Sequence, residues 1–468
     1  MWLGSAQTRH DDAFRDRLMM RDASLYIMLL ALAGIAMYQP WMGLLGLAVL
    51  NIVHPQGGRS AEAGVLPAYS ILLGVTLIST LLARLRGRLE FALLWDWRFA
   101  VLILLLLQFC ITTLFGINPW AAWPRLLEVG KMFVPLVLMA LLIDSREKLR
   151  VLLLVIAGSI ALVAVKGGFW ALITGFRDRV YGAPGSEMAG NNEFAIAVSM
   201  AIPLLLLWRE EISDRRLRAA LFLVTVLCFG AALSSWSRGA FLSLGAMSLL
   251  LIWQHRRKNA PLILSVVAIV AVGTMFPEGW LARMTGMGQY QTDESAMGRL
   301  EVWRSGWNYL LVHPWLGGGF DSWIYVSLPK GSRDWHNAYI KMGVEHGFPG
   351  LLLWGMLLAG TFLDLTRMGG SGKRRRSDWV QRWAAMLRAS LTAYAAGAMF
   401  LGIVYWELFY WLLMACILTT HFRRQDHRSV RTAQRGEGPR PDRRRGMMLE
   451  LTGQSEQESE IFTHGIVK

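Results

Sequence analysis

The sequence predicts an all-α, polytopic membrane protein of about twelve transmembrane helices with one large extramembrane loop built of short helices. Three observations carry this reading. Hydrophobic residues make up 54% of 468 positions and charged residues 17%, against about a quarter charged in soluble domains, and mean hydropathy is positive. Apolar runs recur that are long enough to cross a hydrocarbon core roughly 30 Å thick. Lipid offers the backbone no hydrogen-bond partner, so each run must be helical. Many of the 21 tryptophans stand at the ends of these runs, where interfacial belts form.

The runs fall at 24–38, 41–53, 67–83, 99–115, 128–144, 151–173, 192–208, 219–236, 239–254, 260–276, 346–364, 385–403 and 405–420. Pro40 interrupts the first pair, which reads either as one crossing or as a short re-entrant hairpin. The net charge of +15 does not point to nucleic acid, because of where it lies. Basic residues collect at 146–150, 209–218, 255–258 and 367–382 and in the tail from His421. That is the positive-inside pattern, with anionic membrane lipid as the partner, and it assigns these segments to the cytoplasm. Loops near 116–127, 174–191, 237–238 and 277–345 then face the other side. Thirteen crossings cannot place both basic ends and the basic stretch 84–88 in the cytoplasm, hence the estimate of twelve.

The expected organisation is a cytoplasmic leader at 1–22, helices over 23–276, a large loop at 277–345, helices over 346–420, and a basic, disordered tail at 421–468. The leader is polar and mixed in charge, and no small-residue cleavage site follows the first run, so no cleavable signal peptide is expected. Cys110, Cys228 and Cys416 each lie inside an apolar run and are expected to pack rather than pair. A loop of about 70 residues far exceeds the usual connection and is normally functional.

The outward-facing loops hold the candidate chemistry. Arg177 and Arg179 lie in FRDRVYGAPG, Arg238 in SSWSRGAF and Arg299 in ESAMGRLEVW. The positive-inside bias depletes this side of arginine, so those that remain need a reason. Guanidinium forks suit a phosphate or pyrophosphate; snorkelling to headgroups is the bland alternative. Arg238 is the hardest to dismiss, since only a tight turn separates the two runs it joins. His336, in RDWHNAYIKMGVEHGFPG, has the near-neutral titration of a general base. Asn337 either caps the following helix or orients substrate, and Glu345 either orients an imidazole or pairs with an arginine. Asn192 stands at the mouth of a membrane helix, as a cap or facing a cavity. His313 and His346 read as structural. His336, Glu345 and His346 are not spaced as zinc ligands, no outward Asp-x-Asp pair is found, and no Walker or dinucleotide fingerprint occurs. Neither a metal nor a cofactor is expected.

VKGGFWALITGF, RDRVYGAPGS, AGNNEFAIAVSMAIPLL, SSWSRGAFL, DESAMGRLEVW, HPWLGGGF and WHNAYIKMGVEHGFPGLL follow one another in that order. This succession resembles the O-antigen ligase and polymerase superfamily, nearest the O-glycosylation ligases found with exosortase systems, from about residue 20 to residue 420. The resemblance implies a GT-C-type glycosyltransferase of the bacterial inner membrane with a periplasmic active site. Such enzymes move a glycan from undecaprenyl pyrophosphate to an acceptor, typically the lipid A-core oligosaccharide. By position, His336 matches the family's loop histidine, the proposed base. Arg238 and Arg299 match the arginines on the donor pyrophosphate, and Arg179, beside Tyr181, matches the arginine of the R-V-Y-G segment. At Gly190 the branch often has Asp before the two asparagines, so no acid role is carried over there. O-antigen polymerase and protein O-glycosylation ligase share the donor half of such a site, and a lipid-linked saccharide transporter is the alternative of another class.

Overall fold

The computed structural model describes residues 24–55, 67–86, 93, 96–254, 278, 280, 294–327, 334–369 and 379–434. Among them the regular structure is entirely helical: α1 (Ser24–Tyr38), α2 (Pro40–Val53), α3 (Ala68–Leu85), α4 (Trp97–Leu114), α5 (Pro119–Leu142), α6 (Arg146–Ile173), α7 (Asn191–Glu211), α8 (Arg215–Leu233), α9 (Arg238–Gln254), α10 (Glu294–Val312), α11 (Trp323–Val326), α12 (Ala338–Gly369), α13 (Trp379–Gly397), a 3₁₀ turn (Ile403–Tyr405) and α14 (Glu407–Gln434). Six of these, α3, α4, α6, α7, α8 and α12, are long and apolar enough to cross a membrane. The expected run 260–276, the basic loop 255–258 and the leader 1–22 lie outside the described residues. Met1–Thr419 form one compact unit and Thr420–Lys468 a second; the site lies in the first.

Pro40 decides the first pair. Gln39 leaves the helical region (φ −130°, ψ 92°) and Pro40 opens α2 at a position where no N–H is needed. The chain then doubles back: Gly43 stands against Ala36, and Gly46 against Leu32. Residues 24–53 therefore form an antiparallel hairpin, not one continuous helix. At the far end of α2, Asn51 bonds Glu407, while Trp41 at its start faces Lys148. The hairpin consequently directs Ser24 to the Glu407 end of α2.

Close helix packing follows from small residues. A Cβ on Gly168 would lie 2.1 Å from the Leu227 carbonyl oxygen, so α6 and α8 meet backbone to backbone. α13 packs on α7, α9 and α12, and α12 on α4.

The two ends of the bundle differ in chemistry. At one end Arg150 pairs with Glu211 at 2.7 Å, Trp383 donates to the same carboxylate, and buried Arg98 is held by Asp96 and Asp364. These residues lie in or beside the segments assigned to the cytoplasm by their basic charge. The loops assigned to the other side meet at the opposite end. There Asn118 donates to the Tyr325 hydroxyl, and Val180 N–H donates to Ser234 O at 3.0 Å.

One break in a helix shapes that second end. Gly347 interrupts α12 with φ 68° and ψ −176°, a conformation open essentially to glycine alone. The break leaves carbonyls at the end of the 338–346 segment without helical partners. Gly318 N–H reaches Val344 O at 2.8 Å and Gly319 N–H reaches Glu345 O at 2.9 Å; Gln108 Nε2 takes His346 O at 2.9 Å. The glycines of PWLGGGF thus cap a broken helix. Phe348 N–H returns to Pro314 O at 2.7 Å, and Pro349 falls in the first turn of the segment that follows.

Candidate active site

His336 sits between two anchors. On one side Trp335 is fully buried, packed with Val302 and Val344, and its carbonyl accepts from Trp303 Nε1 at 2.7 Å. On the other, Asn337 Oδ1 accepts from Tyr339 N–H at 2.9 Å and Ile340 N–H at 3.1 Å. Asn337 is therefore the N-cap of α12. Ala338 N–H is bound by Ala398 O at 2.8 Å. Between these constraints His336 itself takes a positive φ of 44°, uncommon for a residue with a side chain and persistent only where the surroundings impose it. Its side chain remains exposed.

The charges acting on His336 come from four elements. Desolvation lowers its pKa below the usual value; Asp334 and Glu193 oppose this, and Arg299 and Lys341 reinforce it. The net shift is downward, toward the neutral imidazole, the form that accepts a proton. Arg299 of α10 and Glu193 of α7 thus lie within electrostatic range of the loop histidine, although 37 and 143 residues separate them from it in sequence.

The arginine-bearing loops are pinned together. Trp236 Nε1 donates to Phe176 O at 3.2 Å, and Ser234 Oγ to Asp178 O at 2.8 Å. Arg179 lies over the Trp236 ring at 5.7 Å, and Asn191 Nδ2 donates to Ser235 O at 2.7 Å. Arg238 opens α9 two residues after Trp236. Its neighbour Gly239 abuts Phe400, a Cβ there falling 2.7 Å from the Phe400 Cβ. The turn around 398–400 therefore touches both the Arg238 end of α9 and the His336 end of α12. Arg177, Arg179 and Tyr181 are exposed and Asn192 half-buried.

Glu345 is elsewhere. It is fully buried and accepts from the Tyr405 hydroxyl at 2.5 Å, not from His336. Tyr405 also meets His346 Nε2 at 2.6 Å, and His346 Nδ1 meets Thr112 Oγ1 at 2.6 Å. With Tyr405 donating to Glu345, its oxygen is left to accept from His346 Nε2. His346 is a buried structural link, as its sequence setting suggested; His313 packs on the Tyr309 ring at 4.4 Å.

Sequence reasoning missed four residues at this end. Arg125 lies 5.8 Å from the Tyr405 ring centroid and pairs with Glu128 at 2.7 Å. Lys341, almost fully buried, lies 3.3 Å from Asp334. Glu187 Oε2 accepts from Glu407 N–H at 3.3 Å, and both carboxylates line a cavity of about 20 Å³ with Asn51, Met188, Trp406 and Trp411. Desolvation, then the Glu407 charge, push Glu187 up to about 8. Arg125 and Lys341 carried the same signal as the chosen arginines, a cation on the depleted side; the two carboxylates carried none. Among the described residues no group of three His, Cys, Asp or Glu side chains is arranged to hold a metal ion.

Fold and site together define a multi-pass helical membrane protein whose candidate site residues lie at one end of the bundle. Residues 223–355, which include Arg238, Arg299 and His336, match the family model described as O-Antigen ligase. Residues 20–213, which include Arg179, match a model for a family of unknown function. The chain is 28% identical over 172 residues to an O-antigen ligase of Pseudomonas aeruginosa, an overlap of 36% of this chain and 39% of that relative. The similarity to O-antigen ligases therefore covers well under half of this chain.

Proposed function

We propose that this protein is an O-antigen ligase that transfers a glycan from undecaprenyl pyrophosphate to the lipid A-core oligosaccharide on the periplasmic side of the inner membrane. The observation that supports it best is His336: exposed, fixed in a left-handed conformation, and shifted toward its neutral form by desolvation and by the charge of Arg299. In this reading the end of the bundle carrying His336 faces the periplasm and the Arg150 end the cytoplasm, as the positive-inside rule directs. The lipid tail of the donor lies between helices, with its pyrophosphate against Arg238 and Arg299, aided by Arg179. His336 takes the proton of an acceptor hydroxyl as that oxygen attacks the anomeric carbon, and the pyrophosphate leaves with inversion. The arginines stabilise the charge developing on the leaving group, and orientation of the two substrates supplies much of the remaining acceleration. Permanent guanidinium charge performs the task that a divalent ion performs elsewhere, so transfer is metal-independent.

The test is reconstitution of the purified protein with undecaprenyl-pyrophosphate glycan and lipid A-core in EDTA. Wild type should transfer; His336→Ala should not, while still binding donor. Arg238→Ala should weaken both binding and transfer. A product longer on the lipid-linked donor itself would make the protein a polymerase, and glycan on Ser or Thr a protein ligase. Movement of an intact donor across the bilayer would make it a transporter.

A further inference from the structure

Asn337, Lys341 and Glu345 are spaced by four along the first segment of α12 and so share one face. Lys341 is the unexpected member. Its side chain is 8% exposed, and a buried ammonium is unfavourable unless paired. Of the three carboxylates whose charge acts on it, Glu345, Asp334 and Asp321, Glu345 accepts from Tyr405, with its second oxygen making no hydrogen bond. Lys341 Nζ instead reaches back beyond the N-terminus of its own helix to Asp334 Oδ1 at 3.3 Å, while its ammonium lies 5.9 Å from the centroid of the Tyr405 ring. The same Asp334 oxygen accepts from Trp335 N–H at 2.8 Å. Asp334 stands two residues from His336 and is 31% exposed, free enough to turn toward the imidazole.

We propose that Lys341 is a positioning residue for the transfer reaction: it holds the Asp334 carboxylate toward α12 and offsets the pull of that carboxylate on His336. The ammonium also faces the buried Glu345 carboxylate, so its loss costs stability as well as position. Burial of Trp335, the Asn337 cap and the bond from Ala338 to Ala398 already fix the loop, and a methionine would fill the same volume. What a methionine lacks is charge. The groups acting on His336 are Asp334 from its own loop, Glu193 from α7, Arg299 from α10 and Lys341 from α12. Removing Lys341 deletes one cation and releases one anion, and both changes favour the protonated imidazole, which cannot act as a base.

The inference rests on the reading of His336 as the base, so its test uses a readout independent of transfer. Diethyl pyrocarbonate modifies the neutral imidazole, and His336 is exposed. Its modification in the full-length protein, followed by mass spectrometry at pH 6 and pH 8, reports the neutral fraction, which falls tenfold per unit well below the pKa. In Lys341→Met the ratio of the rate at pH 6 to that at pH 8 should be about threefold lower than in wild type. Lys341→Arg should keep the wild-type ratio, and adding Asp334→Asn to Lys341→Met should restore it. An unchanged ratio in Lys341→Met, or no restoration by Asp334→Asn, would overturn the proposal. Should Lys341→Met fail to fold, Asp334→Asn alone is informative: it should raise the ratio, because Asp334 is the foremost anion acting on His336, and an unchanged or lower ratio would refute the idea. If the ratios behave as expected while wild type shows no glycan transfer, the proposed function fails and the positioning role stands.

Discussion

Replacing Gly347 by alanine tests the physical basis of the site at its hinge. At φ 68° and ψ −176° the backbone lies where only glycine rests comfortably, and a side chain there costs about 1–3 kcal/mol. The added Cβ would also fall 2.5 Å from Trp315 O and 2.7 Å from Pro314 O, so the 314–319 turn must retreat. Retreat weakens the bonds from Phe348 to Pro314 and from Gly318 and Gly319 to Val344 and Glu345, each worth about 1 kcal/mol. With partial relaxation the sum is about 3–5 kcal/mol. Thermal unfolding in detergent, with Gly355→Ala as control, measures it. Gly355 lies in the same helix with nothing within 4 Å of its would-be Cβ, so alanine there should be neutral or stabilising by up to about 1 kcal/mol. If Gly347→Ala melted within about 1 kcal/mol of wild type, the helix break would be an incidental kink and the capping role of PWLGGGF would be wrong.

The pH dependence of transfer has a definite sign. In the proposed function His336 acts as a base and must be neutral, and its pKa is lowered, so the rate should persist on the acid side of the ordinary histidine midpoint near 6.5 and fall only below it. A rate already halved well above that midpoint would contradict this. Asn337→Ala removes the α12 cap and should cost about 1 kcal/mol, whereas Asn337→Asp should retain most of that stability; equal losses in thermal melting would show that Asn337 acts other than as a cap. Lys341→Arg should transfer glycan at close to the wild-type rate, and Lys341→Met should lose most at acid pH, as initial rates across pH 6–8 would show.

Much of this was legible because lipid is a demanding solvent. Apolar length marks the spans, and Arg and Lys placement sorts the loops into two sets; among the described residues, segments 146–150 and 209–218 of one set meet through Arg150 and Glu211, and loops 116–127 and 277–345 of the other through Asn118 and Tyr325. Pro40 announced an interruption, and a histidine and arginines on the charge-depleted side announced a site. Sequence could not say how that site closes. Whether residues 24–53 turn back depended on Gly43 and Gly46 accepting Ala36 and Leu32, contacts within a folded hairpin. That Asn337 caps a helix and Glu345 belongs to Tyr405 rather than His336 depended on where the turn at 398–405 docks. The approach of Arg299 and Glu193 to His336 joins three elements distant in sequence, and PWLGGGF became a cap only once Gly347 had broken a helix beside it. Local pattern records what each segment requires of its solvent and its own backbone. Which side chain satisfies which partner is decided by long-range packing, and that information is written in no single stretch of the chain.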